Sequence, residues 1–192
     1  MKPRTRALVV GGTVASLLLL LQIAGAHSEV LDVAPAGFEV QERVHIAAAP
    51  DRVYAALIEP KHWWSSTHSF SGDSANFTLD AKAGGCWCEV LPDGGSAQHM
   101  VVVYALPGKT LRLRGALGPF QGTGTDGALT WTIKPAADGS EVTLDSVNGG
   151  YIKGGFAPIA PIADKVMAEQ VARLKAYIEA GSPDGASNRR LR

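Results

Sequence analysis

The sequence predicts an α+β domain in which a curved antiparallel sheet is covered by one long carboxyl-terminal helix. Three observations favour this fold class. An alternating strand pattern begins at Phe38, six further strand patterns separated by turns occupy residues 76–147, and an apolar helical stripe ends near Gly181. Consecutive strands joined by short turns form an antiparallel meander. The apolar face of such a sheet must be covered by another element, here the long helix. A gap left between helix and sheet is a usual place for a ligand.

The first 26 residues have the three parts of a secretory signal peptide. Lys2, Arg4 and Arg6 form a basic start, an apolar run follows over residues 7–23, and residues 24–26 are the small-x-small pattern of a cleavage site. An uncleaved membrane anchor is the alternative, because a span needs roughly 17–25 apolar residues. Glycine, threonine and serine dilute the run, so we expect cleavage. The mature protein is then periplasmic or secreted, without stable membrane insertion.

Composition and charge limit the remaining chain to a few classes. Removing 26 of the 192 residues leaves 166, which fits one domain. The whole chain has 18 basic and 18 acidic residues, and three of the basic residues are in the leader, so the mature net charge is near −3. This balance argues against a nucleic-acid partner. We expect a linker over residues 27–37, the folded domain over residues 38–180 and a disordered tail over residues 181–192.

The domain opens with a strand followed by two short helices. The apolar positions of the strand share one face: Phe38, Val40, Val44 and Ile46. Glu42 breaks the pattern, because it falls on that apolar face. Pro50 then opens a short helix, since proline is favoured at the first helical position. Pro60 ends this helix or starts a second one that reaches Trp64.

Six strands and the long helix complete the domain. The six predicted strands cover residues 76–79, 85–91, 98–106, 110–115, 128–134 and 141–147. Turn signals such as Pro92-Asp93-Gly94-Gly95 separate them. The last helix begins near Pro161, carries apolar residues at three- and four-residue steps, and ends at Gly181 with Pro183 behind it.

Several segments resemble the START-like, birch-pollen-allergen-like superfamily, often called SRPBCC. They are residues 44–54 (VHIAAAPDRVY), 84–89 (GGCWCE), 129–133 (LTWTI) and 168–175 (AEQVARLK). Within the superfamily the chain is similar to the branch named after the activator of the large heat-shock chaperone ATPase. The resemblance covers about residues 38–180 and implies the helix-grip fold, with about seven strands and a cavity for apolar ligands.

The resemblance has limits for function. Ala49 stands where the family often has a serine that caps the first helix, and losing such a cap costs roughly 0.5–2 kcal/mol. Chaperone activation is a cytosolic activity, which an exported protein would not perform. The polyketide-cyclase label belongs to relatives that fold a reactive chain in the cavity, and fold alone transfers neither activity.

We expect an exported protein that binds a small hydrophobic molecule, with no defined catalysis and no cofactor or metal. Burial of apolar ligand surface would contribute about 25 cal/mol per Å². Two Gly-rich loops, residues 115–127 and 148–156, would flank the cavity mouth, with an aromatic gate in the second. The predicted lining and gate residues are Val40, Glu42, Trp64, Tyr104, Leu113, Trp131, Leu144, Tyr151, Phe156 and Met167.

Two other function classes stay open. A cyclase or hydrolase would use Glu42 or a loop histidine as its base, although the sequence has no G-x-S-x-G motif and no triad spacing. A ligand-free stress-related or interaction protein is the third interpretation.

Glu42 itself must be paired, hydrogen-bonded or protonated if it is buried. The alternatives to a cavity role for Glu42 are a bulge that turns its side chain outward and a pair with a buried arginine.

Cys86 and Cys88 allow three interpretations. Both project to one face of a strand and are small enough to pack there as thiols, which is the interpretation we favour. A disulfide is the second, although Cα atoms two apart in a strand lie near the upper limit of about 6.8 Å. A soft-metal site is the third, and two ligands are too few for it. We expect the histidines, which stand at positions 27, 45, 62, 68 and 99, to be exposed or satisfied.

Overall fold

The structure is a computed structural model that describes residues 27–185. The predicted leader and residues 186–192 of the predicted tail lie outside the described residues. The helices are α1, Pro50–Leu57, and α2, Ala160–Ala180. The strands are β1, His27–Ala34; β2, Gly37–Ile46; β3, Phe77–Leu79; β4, Cys86–Val90; β5, Ser96–Leu106; β6, Thr110–Gly115; β7, Gly124–Ala136; and β8, Gly139–Tyr151.

All eight strands form one antiparallel sheet in the order β1-β2-β8-β7-β6-β5-β4-β3. The long helix α2 packs against β1 and β2, and α1 packs against α2 and β7. The predicted α+β class and helix-grip arrangement are therefore confirmed. Among the described residues, neither helix combines the length and apolar character that a bilayer crossing requires.

The eighth strand, β1, replaces the linker that we predicted over residues 27–37. It pairs antiparallel with β2 from His27 opposite Arg43 to Ala34 opposite Gly37. A register shift lies between Val30 and Asp32. The shift breaks the two-residue period, which is why the sequence shows no strand pattern here. The prediction of a linker was wrong.

The hairpin of β7 and β8 is longer than predicted, because glycines let the two strands approach closely. Gly127 pairs with Asn148, and a Cβ at Gly127 would lie 2.5 Å from Asn148 Oδ1. Only glycine allows that approach. The predicted loops shorten as a result, and the first one folds as a 3₁₀ turn over Gly118–Gly122.

Inward side chains form rows across the sheet, because residues opposite each other in antiparallel strands share a face. Two adjacent rows contain five of the ten predicted site residues. The first row is Leu113, Leu129, Ser146 and Val40. The second row is Leu111, Trp131, Leu144 and Glu42.

Candidate ligand-binding site

Eight of the ten predicted site residues are buried. They are Val40, Glu42, Trp64, Leu113, Trp131, Leu144, Phe156 and Met167. The alternation in the strands and the stripe in α2 were sufficient to place six of them inside, whereas Trp64 and Phe156 lie in loops. The two exceptions are Tyr104 and Tyr151.

Tyr104 faces outward, so its predicted lining role was wrong. A register shift between Val102 and Tyr104 places an extra residue in β5, and Tyr104 is 47% exposed. The Arg112 guanidinium lies 5.9 Å from the centroid of the Tyr104 ring on the outer face. Tyr151, at the end of β8, is 72% exposed and does not line the interior.

Aromatic side chains fill the space between the sheet and the helices. We call this set the tryptophan cluster: Trp63, Trp64, Trp87, Trp131 and Phe77. The ring centroids of Trp64 and Trp87 are 4.8 Å apart, and those of Trp63 and Trp131 are 5.8 Å apart. Both pairs have edge-to-face geometry, which suits the ring quadrupoles.

A small cavity borders this cluster at Trp63, Trp87 and Trp131. Its volume is about 10 Å³, which is the space that a single water molecule requires. The cavity is lined by Leu57, Pro60, Trp63, Leu79, Trp87, Leu111, Leu113 and Trp131. None of these lining residues belongs to α2, so the cavity lies beside α1 and not under the long helix, and a ligand larger than water must displace side chains to enter it.

Trp87 is a polar feature of the cavity wall. Its buried indole N–H finds no acceptor among the described residues, whereas the N–H of Trp64 donates to the His68 carbonyl oxygen at 3.0 Å. The Nε2 of Gln170 and the hydroxyl of Tyr54 are also buried without a described partner. An unsatisfied buried donor costs about 1–3 kcal/mol. The interior therefore holds unused hydrogen-bonding capacity.

Three phenylalanines close the end of the interior next to the start of α2. We call Phe38, Phe120 and Phe156 the phenylalanine plug. The Phe38 ring centroid lies 6.0 Å from that of Phe120 and 5.7 Å from that of Phe156. Phe120 belongs to the 3₁₀ turn after β6, and Phe156 follows two glycines with positive φ. Each predicted mouth loop thus contributes one ring.

Glu42 faces inward as predicted, but its carboxyl lies between β1 and α2. The Ser28 hydroxyl oxygen is 3.0 Å from Glu42 Oε1 and 2.8 Å from Asp164 Oδ1. Burial, assisted by the charge of Asp164, raises the pKa of Glu42 from 4.5 to about 7. A hydroxyl has one proton, so both contacts are hydrogen bonds only when one carboxyl is protonated. The raised pKa identifies that carboxyl as Glu42.

A second buried polar group, which sequence reasoning missed, joins Glu89 and His99. Glu89 Oε2 lies 2.8 Å from His99 Nε2. The Glu89 carboxylate also accepts the backbone N–H groups of Phe70 at 3.0 Å and Ser71 at 2.6 Å. With Nε2 donating to Glu89, His99 Nδ1 accepts from the Gln121 amide nitrogen 3.3 Å away.

The position of this pair follows from the strand geometry. Glu89 stands two residues after Trp87 in β4 and shares its inward face, which is a signal that the sequence contains. His99 is the extra residue in β5 at the register shift opposite Trp87 and Cys88. The shift turns both His99 and Met100 inward. A carboxylate that orients an imidazole is suited to proton transfer, and here the same carboxylate also fastens the loop of Phe70 and Ser71 to the sheet.

Cys86 and Cys88 form a disulfide, with Cα atoms 5.4 Å apart. The favoured interpretation as packed thiols was therefore wrong. The two Cα atoms are closer than in a regular strand, in which a two-residue step covers about 6.6 Å. Among residues 27–185, no three or more His, Cys, Asp or Glu side chains group as ligands for a metal ion.

The chain has a recognisable family relationship. Residues 37–179 match the family model described as polyketide cyclase / dehydrase and lipid transport. No curated protein sequence is similar enough to count as a relative.

Solved structures share the fold at low sequence identity. The protein CV1439 from Chromobacterium violaceum is 19% identical, with a TM-score of 0.52 over 73% of this chain and 96% of that chain. The protein EF2215 from Enterococcus faecalis, a conserved protein of unknown function, is 16% identical, with a TM-score of 0.53 over 81% and 78%. DynU16, from the dynemicin biosynthetic locus, is 21% identical, with a TM-score of 0.52 over 77% and 49%.

Proposed function

This chain belongs to the polyketide cyclase / dehydrase and lipid transport family, and from that premise we propose that it is an exported protein that binds a small, mainly apolar molecule bearing a carbonyl-type acceptor. The ligand occupies the interior around the small cavity, between the sheet and the segment from Leu57 to Trp63. Its apolar body lies among the rings of the tryptophan cluster, and its oxygen accepts a hydrogen bond from the indole of Trp87. Export follows from the signal-peptide pattern of residues 1–26.

The unpaired N–H of Trp87 is the observation that carries this proposal. This N–H is buried without an acceptor among the described residues, and Trp87 is one of the residues that line the small cavity. A bound carbonyl oxygen satisfies this donor and removes a cost of about 1–3 kcal/mol. Binding sites of this kind combine many apolar contacts with one or two polar groups that orient the ligand.

Entry requires movement, because the cavity has a volume of only about 10 Å³. The phenylalanine plug supports a route at the start of α2. Phe120 is only partly buried, and its turn begins at Gly118, which has a φ of 52°. Phe156 follows Gly154 and Gly155, with φ of 93° and 75°.

The test compares two probes of the same shape, 2-acetylnaphthalene and 2-isopropenylnaphthalene, which differ by an oxygen in place of a CH₂ group. Isothermal titration should show that the wild-type protein binds the ketone about 2- to 10-fold more tightly, the effect of one net hydrogen bond. Trp87→Phe keeps an aromatic ring but removes the donor, so the preference for the ketone should disappear.

Trp64→Phe is the matched control. Its N–H is already paired with the His68 carbonyl, so this variant should lose stability but keep the ketone preference. If neither probe binds the wild-type protein, the binding proposal is wrong. If both probes bind equally to the wild-type protein, binding does not use Trp87.

A further inference from the structure

The Cys86–Cys88 disulfide lies on the outer face of β4, opposite the interior site. The alternation of β4 turns Trp87 and Glu89 inward, and both cysteines lie partly exposed on the other face. The disulfide therefore cannot contact a molecule bound in the interior, and it needs an explanation of its own.

The disulfide contributes little to fold stability. The ring that it closes contains three residues, so the chain-entropy model gives a stabilisation of only about 15-fold in the folding equilibrium, compared with about 3000-fold for a 100-residue loop. β4 is also hydrogen-bonded on both sides, to β3 and to β5. A covalent link between two residues of an already paired strand does not fix the topology.

β4 is locally contracted where the link stands. The Cα atoms of Cys86 and Cys88 are 5.4 Å apart, about 1 Å less than a regular two-residue step. The register shift between β4 and β5 occurs at the same place, between Trp87 and Cys88. The disulfide therefore stands at an irregular point of the sheet and not in a regular strand pair.

One sulfur is open to attack. Thiol–disulfide exchange requires a thiolate to reach a sulfur atom from outside the S–S bond. Gly84 and Gly85 precede Cys86, and no atom lies within 4 Å of the position of a Cβ at Gly84. On the other side, Cys88 is followed on the same face by Val90, and its cross-strand partners are Thr78 and Gln98. The approach to Cys86 past Gly84 is thus open, while Val101 lies opposite Cys86 on β5.

We propose that Cys86–Cys88 is a redox-active disulfide that oxidises dithiols, independently of ligand binding in the interior. A substrate thiolate attacks Cys86 Sγ and forms a mixed disulfide, while the S–S bond breaks and Cys88 leaves as a thiolate. The second substrate thiolate then attacks the substrate sulfur of the mixed disulfide and releases Cys86. Two electrons pass to the protein, which ends as a dithiol, and the substrate ends as a disulfide.

The test uses the wild-type full-length protein and a peptide containing two cysteines, without oxygen. One mole of oxidised protein should convert about one mole of peptide dithiol to its disulfide, with two new protein thiols detected by alkylation and intact mass. In glutathione buffers the protein should reach equilibrium within minutes and become reduced while still folded. The proposal is overturned if the disulfide stays intact in a 100-fold excess of reduced glutathione. It is also overturned if oxidised glutathione cannot convert the reduced protein back to the Cys86–Cys88 disulfide.

Single-cysteine variants test the assignment of roles. Cys88→Ser keeps Cys86 and should accumulate a stable mixed disulfide when treated with oxidised glutathione. Cys86→Ser should form that adduct at least several-fold more slowly, because Cys88 is flanked on its strand by Val90. Near-UV circular dichroism checks that both variants are folded. Equal rates would contradict the assignment of Cys86 as the attacked sulfur.

Discussion

Glu42 is a carboxyl placed in an apolar row of the sheet, and its environment determines its charge. Burial is the main cause that raises its pKa to about 7, and the negative charge of Asp164 adds to the rise. In the protonated state Glu42 donates to Ser28, and the Ser28 hydroxyl donates to Asp164. This chain of hydrogen bonds fastens β1 to α2. When Glu42 ionises, two carboxylates compete for one hydroxyl proton.

The protonation of Glu42 predicts a pH-dependent stability. Because the folded-state pKa is about 7 and the ordinary value is 4.5, the contribution of Glu42 is fully present below about pH 4.5 and is lost as the pH rises through about 7. One pKa unit corresponds to about 1.4 kcal/mol, so the full difference corresponds to about 3 kcal/mol, which solvent screening reduces to a loss of about 2 kcal/mol. Glu42→Gln mimics the protonated carboxyl, so it should match the wild type at pH 5 and exceed its unfolding free energy by about 2 kcal/mol at pH 8.

Urea denaturation at pH 5, 6, 7 and 8 measures this difference. Glu39→Gln, in the same strand but on the opposite face, is the control and should keep the wild-type pH dependence. A Glu42→Gln variant whose stability runs parallel to the wild type across this range would show that Glu42 is already ionised at low pH.

Glu89 has the opposite pH dependence. Burial alone raises its pKa, but hydrogen bonds from Ser71, Phe70 and His99 outweigh burial and lower the pKa below 4.5. Its contribution to stability is therefore present above about pH 4.5 and is lost as the pH falls through the lowered value. Glu89→Gln replaces one of the two acceptor oxygens with an NH₂ group, which cannot accept from these donors. The variant should therefore lose about 1–3 kcal/mol of unfolding free energy at pH 7.

The cost of Glu89→Gln should shrink when the pH is lowered to 4 or below, because the wild type then loses the same interaction. Denaturation curves of the two proteins at pH 7 and at pH 4 or below provide the comparison. The exposed Glu141 supplies the control substitution, Glu141→Gln, which should change little at either pH. A cost that stays constant with pH would mean that the charge of Glu89 is not responsible for it.

Single residues were predictable from the sequence wherever the strand period was regular. Val40, Leu113 and Trp131 are inward because alternation carries through β2, β6 and β7. Tyr104 was predicted on the wrong face, and the expectation that His99 is exposed or satisfied did not specify its inward position. The reason is the same for both. Each lies at a register shift of β5, and an extra residue in a strand reverses the faces beyond it. No residue type marks such a shift reliably.

At the scale of elements, α2 was predicted almost completely because its signals are local. Its apolar stripe, the proline in its first turn and the glycine after its end all operate within the helix. Gly181 has φ 74° and ψ 11°, the left-handed conformation, and its N–H donates to the Tyr177 carbonyl oxygen. β1 was missed because its formation depends on a partner strand and not on its own pattern.

Gly181→Ala tests the helix end. A residue with a Cβ costs roughly 1–2 kcal/mol in the left-handed region, so the variant should lose about 1 kcal/mol of unfolding free energy. Gly122→Ala is the control, because a Cβ at Gly122 has open space and its φ is not positive. It should change stability by only a few tenths of a kcal/mol. Thermal and urea unfolding measure both, and equal losses would contradict the role of backbone conformation.

At the scale of the whole molecule, the sequence predicted which side chains face inward but not how completely they fill the interior. Filling depends on the separation of α2 from the sheet and on the conformations of several large rings at once. Four tryptophans and Phe77 occupy the space in which a ligand was expected. The fold thus follows from patterns along the chain, whereas the free volume follows from the sum of three-dimensional contacts.

If packing of the rings limits binding, then removing one ring should create a site. Trp131→Ala removes part of the wall of the small cavity and should cost about 3–5 kcal/mol of stability. It should also raise the affinity for 2-isopropenylnaphthalene at least 10-fold over wild type, because the ligand no longer has to displace a ring.

Ile133→Ala is the matched control, since Ile133 is buried on the same face of β7 but does not line the small cavity. It should lose stability, by about 2–5 kcal/mol, without gaining affinity. Leu113→Ala trims the same wall less severely and should give the Trp131→Ala result in weaker form if that variant does not fold. Isothermal titration and ligand-dependent thermal unfolding measure the effect. Equal affinities for the Trp131 and Ile133 variants would mean that space around the tryptophan cluster does not control ligand binding.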